Sequence, residues 1–383
     1  MKKYIAINAT ALFKKNKTGV EWYTWQLLRS LSSIWKEKDP TVVLFAPQSI
    51  TCSTKRIASI RRIFLQKSNW KIKILPGRFF WTQWHLWRFL TKNPPTLLFS
   101  PSYLSPIFLS ARIPTLNVIH GLEGEYFPEV KNFREMLLED FFGNLIIRKS
   151  TRLIAVSPHT REDLNYFFNI PFEKISMVPS GPGTITNLSS INKKYPLCFQ
   201  KENDTVNFFF LGGEAERKNL ELAIKIFSLI QEKIQLKCRL WLGGQIKKSS
   251  FSVHQLLEKN SGILKLGYLS EKEKQEYFSQ SHFLLYPSFY EGFGFPALEA
   301  QAFGAIPIVL KGNGVREITG DSIVEINPEA EKSEWLEKII QLIRSVDKFT
   351  AFQIAGRNNV KKYNWQKCAK QIKTVILETI NQK

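Results

Sequence analysis

The sequence predicts an α/β protein made of two doubly wound parallel-sheet domains in tandem. Three observations predict it. Short apolar, β-rich runs alternate with helical patterns along almost the whole chain, an order that implies strands joined by helical crossovers. A polar stretch with turn residues and little periodicity, GPGTITNLSSINKKY after Ser180, interrupts that alternation and reads as a linker. The 383 residues, 44% of them apolar, suffice for two domains of roughly 100 to 200 residues each.

The first series reads YIAINAT, a helical Val20 to Ile34, TVVLFAP, KIKILP, a helical Phe79 to Leu90, TLLFSPS, TLNVIHG, RLIAVSP and ISMVPSG. The second reads VNFFFLGG, a helix Leu220 to Lys233, CRLWLGG, GILKLGYLS, HFLLYPS and AIPIVLKG. These give a first domain over 1–185 and a second over 186–360. Residues 361–383 close the chain with a helix, since Trp365, Cys368, Ile372, Val375, Ile376 and Ile380 share one face. That helix is expected to pack back toward the first domain. Two doubly wound domains set face to face bind ligands in the cleft outside the carboxyl ends of their strands.

Composition removes several function classes. Cys52, Cys198, Cys238 and Cys368 lie far apart with no CxxC pair, so neither a zinc site nor a disulfide framework is predicted, and a cytoplasmic setting is expected. The opening MKKYIAINAT has too short an apolar run for a signal peptide and reads as a strand. No stretch reaches the roughly 20 apolar residues that span a bilayer. Net charge is +21, and residues 1–112 hold 19 Lys+Arg against 3 Asp+Glu, a local excess of +16. Such a field favours nucleic acid, an anionic lipid surface or phosphorylated small molecules.

The most informative stretch is Tyr286 to Glu299, YPSFYEGFGFPALE, where strand, glycine-rich loop and helix follow one another. Gly292 and Gly294 permit tight turns, and Pro296 suits the first helical position. The helix beginning there offers its N–H groups and positive dipole end to an anion such as a diphosphate, through Pro296, Ala297 and Leu298. A continuous helix would hold Glu291 and Glu299 about 12 Å apart, beyond the roughly 5 to 9.5 Å of a glycosidase carboxylate pair. Glu291 is therefore placed in the loop and Glu299 in the first helical turn, with different tasks.

In FFFLGGEAERKNLELAIKIF, Arg217 and Lys218 follow a buried strand and precede an amphipathic helix. Cations at a strand's carboxyl end point into the cleft, where they would neutralise a departing diphosphate. His120, in VIHGLEGEYFPE, ends an apolar strand and so also lies at the cleft. Gly19, in KKNKTGVE, opens the turn before the helix from Val20. LGYLS, Leu266 to Ser270, ends another strand of the second domain.

These residues together resemble the retaining glycosyltransferases of the GT-B fold, in particular family 4 (group 1), many of whose members are mannosyltransferases. The likeness covers nearly the whole chain, and its strongest element is PSFYEGFGFPALEA with the Glu-x7-Glu spacing. It implies that Glu291 faces the donor sugar and Glu299 holds the ribose. The loop Gly292, Phe293, Gly294 and Phe295 would cradle the sugar, and Arg217 and Lys218 would grip the donor phosphates. It further implies that His120 approaches the sugar, that Gly19 brings its backbone to the phosphates or the acceptor, and that Tyr268 and Leu269 contact the base. Two positions depart from the pattern. Gly213 stands where many such enzymes have an arginine, and Gly121 stands in place of an aspartate.

The resemblance implies transfer of a hexose from a nucleotide diphosphate sugar to a glycan or polyprenyl-diphosphate acceptor. No cofactor is expected. Asp-x-Asp is absent from the sequence and no metal-ligand spacing occurs, so charge neutralisation is expected from protein cations. Retention follows if the acceptor enters on the face the diphosphate leaves, with an oxocarbenium-like sugar near Glu291 and His120. The aromatic stretch RFFWTQWHLWRFLTK, Arg78 to Lys92, is either a packed helix or an interfacial surface. It reads here as packed, which leaves any peripheral membrane contact to the cations, among them Lys55, Arg56, Arg61 and Arg62. The competing functions are a nucleic-acid-binding protein, which the lack of a binding motif opposes, and a catalytically silent GT-B module, which Glu291, Glu299, Arg217 and Lys218 oppose and Gly213 and Gly121 keep open. A sugar-nucleotide epimerase fits less well.

Overall fold

The computed structural model describes residues 4–14, 17–50, 54–127, 142–185, 205–246, 251–327 and 332–382. Part of the linker (186–195), residues 128–129 of the His120 segment, Cys52 and Cys198, and the side chains of Lys55 and Arg56 lie outside the described residues. The chain divides into two compact units, Met1–Gly183 with Tyr363–Lys383, and Thr184–Lys362.

The first unit is built on β1 (Tyr4–Asn8), β2 (Thr41–Pro47), β3 (Trp70–Leu75), β4 (Leu97–Ser100), β5 (Thr115–Ile119), β6 (Arg152–Ala155) and β7 (Ile175–Met177). They form one sheet in the order β3-β2-β1-β4-β5-β6-β7, every pair parallel. Strands such as Leu97–Ser100 are buried throughout, as expected where helices cover both faces. The Gly19–Ile34 helix packs against the last helix of the chain, Trp365–Asn381. Lys373 pairs with Asp39 and Glu378 with Arg152 at 2.8 Å. Trp365 donates through Nε1 to the Gly183 carbonyl at 2.9 Å, so the far end of the sequence is part of the first unit's core.

The second unit carries β8 (Thr205–Leu211), β9 (Lys237–Gly243), β10 (Ile263–Gly267), β11 (Phe283–Tyr286), β12 (Ile306–Leu310) and β13 (Val324–Ile326). Their order is β10-β9-β8-β11-β12-β13, again parallel throughout. Both sheets reverse direction of growth beside their first strand, β1 in one unit and β8 in the other. That reversal is the switch point at which loops open outward from the carboxyl ends of adjacent strands. In the second unit the loops after β8 and β11, neighbours in the sheet, are the ones that carry Arg217, Lys218 and Glu291.

Two expectations about local structure need correcting. The helix after the glycine loop runs Phe295–Phe303, so Pro296 is its second residue and Glu299 begins its second turn. The segment read as one regular packed helix over Phe79 to Leu90 is instead a π-helical turn, Thr82–Leu86, leading into an α-helix, Trp87–Lys92. The Leu86 amide donates to the carbonyl of Trp81 at 2.9 Å, five residues back. The extra residue in that turn puts Trp81, Leu86 and Leu90 into the core and turns Trp84 outward, 56% exposed. Phe79 and Phe80 are exposed as well, so packing accounts for only part of this segment.

Candidate active site

Within the second unit, the loop after β8 tightens into a 3-10 turn, Glu216–Lys218, and the Leu220–Lys233 helix starts from Asn219, whose left-handed backbone (φ 53°) ends that turn. The Arg217 carbonyl accepts the Phe289 amide at 2.9 Å, which ties this loop to the one after β11. In that second loop the Glu291 amide donates to Asn313 O at 3.2 Å. The Asn313 side chain in turn donates to Ser288 O at 3.1 Å and accepts from the Val315 amide at 3.0 Å.

The result is a buried charge cluster. Glu291 Oε1 accepts from Lys218 Nζ at 2.5 Å and from Arg217 at 3.1 Å, and Lys218 Nζ also donates to Tyr286 Oη at 3.2 Å. Burial alone would raise the Glu291 pKa, but Lys218 and then Arg217 outweigh it and hold the carboxyl below its ordinary range. Burial, then the Glu291 charge, push the Tyr286 phenol well above its ordinary value, so Tyr286 stays protonated. Two cations against one carboxylate leave these three side chains with an excess positive charge; Lys218 and Glu291 are buried, where a charge acts most strongly, and Arg217 is one-third exposed.

Glu299 forms a separate cluster. Its Oε1 accepts from Lys274 Nζ at 3.1 Å and from the Thr184 amide at 3.0 Å, and Lys274 also pairs with Glu271 at 2.7 Å. Burial of Lys274 would lower its pKa, but Glu299 and then Glu271 raise it, so it is charged at neutral pH. Sequence reading missed Lys274, Tyr286, Asn313 and Thr184. Tyr286, at the last position of β11, and Asn313, between two glycines, carried faint signals; Lys274 and Thr184 carried none.

Gly292, Phe293 and Gly294 are buried in the loop, and Gly294 precedes the helix in the left-handed conformation (φ 82°), which glycine adopts without strain. Phe295 and Pro296 are half-buried. The Ala297 and Leu298 amides both donate to Gly294 O, at 3.0 and 3.3 Å, so these two are engaged inside the first turn. An anion there would meet the positive helix end more than those particular amides. Tyr268 is 69% exposed, and Leu269 packs near Gly243. Gly213 has a physical explanation. Its φ is +62°, and a Cβ there would lie 2.7 Å from Gln245 O, so the close approach of the loop after β9 leaves no room for a side chain.

In the first unit His120 directly follows β5 and donates through Nε2 to Pro101 O at 2.7 Å, which leaves Nδ1 as the acceptor nitrogen. Tyr23 stands edge-on to its ring, centroids 4.5 Å apart, and Trp365 packs against Tyr23 at 5.5 Å. Burial lowers the His120 pKa against the raising effects of Pro101, Glu123 and Glu21, so the ring is neutral at pH 7. Gly19 is the exposed first residue of its helix, where Glu21 reaches back to the Thr18 amide at 3.0 Å. Among the described residues no three His, Cys, Asp or Glu side chains form a group suited to a metal ion.

Residues 17–182 match the model described as Glycosyltransferase Family 4, and residues 199–359 match that of Glycosyl transferases group 1. The chain is 24% identical over 232 residues to the O-antigen chain mannosyltransferase B of Escherichia coli, covering 57% of this chain and 58% of that one. It is 23% identical over 265 residues to the O-antigen chain mannosyltransferase RfbU of Salmonella typhimurium, covering 68% and 69%. The structure of Anabaena HepE in complex with UDP-glucose superposes with a TM-score of 0.68 at 12% identity, over 99% of this chain and 100% of that one. The fold is that of the GT-B class, two parallel-sheet units of Rossmann type. Within that class the chain belongs to the family 4, group 1 glycosyltransferases.

Proposed function

We propose that the chain is a retaining glycosyltransferase that moves a hexose from a nucleotide diphosphate sugar to a glycan or polyprenyl-diphosphate-linked acceptor. The observation that carries this reading is Glu291, buried between Lys218 and Arg217 close to the start of the Phe295–Phe303 helix. Lys218 and Arg217 supply preorganised positive charge where a departing diphosphate gains negative charge, which lowers the barrier to bond cleavage. Glu291, kept ionised, orients both cations and presents a carboxylate to the sugar as it gains positive character. Glu299, steadied by Lys274, takes the ribose hydroxyls. His120, neutral and fixed in one tautomer, is the first unit's candidate for contact with the sugar.

The two O-antigen relatives support mannose as the donor sugar. The HepE complex supports a nucleotide diphosphate sugar in general. Tyr268 and Leu269 are the proposed base contacts. The protein cations, with no metal, neutralise the leaving group, and the acceptor is reached at the cytoplasmic membrane face. A panel of nucleotide sugars with GDP-mannose and UDP-glucose among them, scored for protection against thermal unfolding and for turnover, tests the reading. One donor is expected to protect and turn over, with turnover unchanged by EDTA. Protection by none would overturn the donor site, and activity lost in EDTA and restored by Mg²⁺ would overturn the metal-free assignment.

A further inference from the structure

The segment from 78 to 92 folds so that its apolar residues divide between two faces. Trp81, Leu86 and Leu90 enter the core, and the π turn places Trp84 on the other side, where Phe80 lies one turn before it, linked by the Trp84 amide to Phe80 O at 2.9 Å. Phe79 and Phe80 are 73% and 63% exposed, and Phe108, from a different loop, is 67% exposed. The two segments are clamped together. Gln83 donates to Ser105 O at 3.0 Å and accepts from the Ile107 amide at 2.9 Å, and the Trp87 indole donates to Phe108 O at 2.9 Å. Four large aromatic side chains are thus held in solvent on one rigid support, although water exposure of so much apolar surface is costly.

Charge identifies what covers them. Exposed Arg88 and Lys92 continue the line of Phe80 and Trp84 at spacings of four, and Arg78 packs its guanidinium 5.4 Å from the Phe79 ring. Between Asp39 and Glu123 the sequence has 11 Lys+Arg and no acidic residue. A second copy of the chain would bring the same cations against themselves. An anionic bilayer satisfies both features, taking the aromatic rings into its interface and the cations among its headgroups.

We infer that Phe79, Phe80, Trp84 and Phe108, flanked by Arg78, Arg88 and Lys92, form a membrane-inserting ledge on the first unit. This deepens the membrane-side reading above and rests on it. It replaces a purely electrostatic contact with two components, one screened by salt and one not.

The test is sedimentation of the full chain with vesicles of phosphatidylglycerol and phosphatidylcholine, at low and high salt, without nucleotide. Wild type is expected to bind at low salt and to keep a measurable fraction bound at high salt. The exposed positions make Phe79→Ser/Trp84→Ser/Phe108→Ser compatible with folding, which its melting temperature checks. That variant is expected to lose the salt-resistant fraction by roughly tenfold or more, and Arg78→Glu/Arg88→Glu/Lys92→Glu to lose the low-salt component. Salt-resistant binding that survives in the aromatic variant would overturn the ledge, as would wild type that binds DNA but no vesicle. Because no nucleotide is present, failure of the donor reading leaves this outcome unchanged.

Discussion

In the second unit Glu291 is buried between two cations, whereas in the first unit His120 is packed against Tyr23 and a backbone carbonyl and carries no charge at neutral pH. Burial acts on both groups, and the neighbours decide the result. For Glu291 the ion pairs outweigh desolvation and keep the charged form; for His120 desolvation prevails and keeps the neutral form. The difference teaches where each unit invests its electrostatics. One holds fixed charge, which the proposed function assigns to an anionic leaving group, and the other holds a neutral, oriented ring.

Removing the carboxylate should break this comparison most severely. Glu291→Ala removes the carboxylate that Lys218 and Arg217 share. By the measure of broken buried pairs, a loss of about 3 to 5 kcal/mol is expected in denaturant unfolding, together with loss of turnover. A loss under 1 kcal/mol would mean that water, not Glu291, screens the cations.

Gly213→Arg would restore the residue common in similar enzymes. Here it should fail, because the position is left-handed and lies against Gln245 O. We expect destabilisation of at least about 2 kcal/mol, from the backbone penalty and the contact together, with no gain in donor affinity. A stabilised or tighter-binding variant would show that the loop after β9 yields easily.

Acid should act on the two regions in different windows. The folded pKa of Glu291 is lowered, so its contribution to stability is complete above the ordinary carboxyl value of 4.5 and is lost as pH falls below it. The folded pKa of His120 is also lowered. The unfolded chain therefore takes the proton first, and stability falls as pH drops below the ordinary imidazole value of 6.5. Stability profiles of Glu291→Gln and His120→Gln should flatten below about 4.5 and below about 6.5 respectively. Flattening in the same window would mean the two groups do not differ as described.

Much of this was legible in the sequence, for a physical reason. The loop Tyr290 to Gly294, its proline and the following helix are contiguous, so the glycines, the proline and both glutamates announce themselves within one window. The central strands of both units were equally plain, because a strand covered on two faces reads as an unbroken apolar run. β13, only three residues long, was not. Lys274 reaches Glu299 across 25 positions and Asn313 supports Glu291 across 22, and no local pattern marks such partners. The exposure of Trp84 was hidden for another reason. A π turn shifts the helical register by one residue, and a 3.6-residue period assigns that side chain to the wrong face.

The central claim is that Lys218 and Arg217 form the diphosphate site of the second unit. Calorimetric titration of the full chain with GDP and with UDP tests it most directly, comparing wild type with Arg217→Ala, Lys218→Ala and the double variant. Each single change is expected to cost about 1.5 to 3 kcal/mol in binding, the range for hydrogen bonds to charged groups, and the double variant to bind no nucleotide measurably while still folding. Nucleotide binding unchanged in a folded double variant would contradict the account.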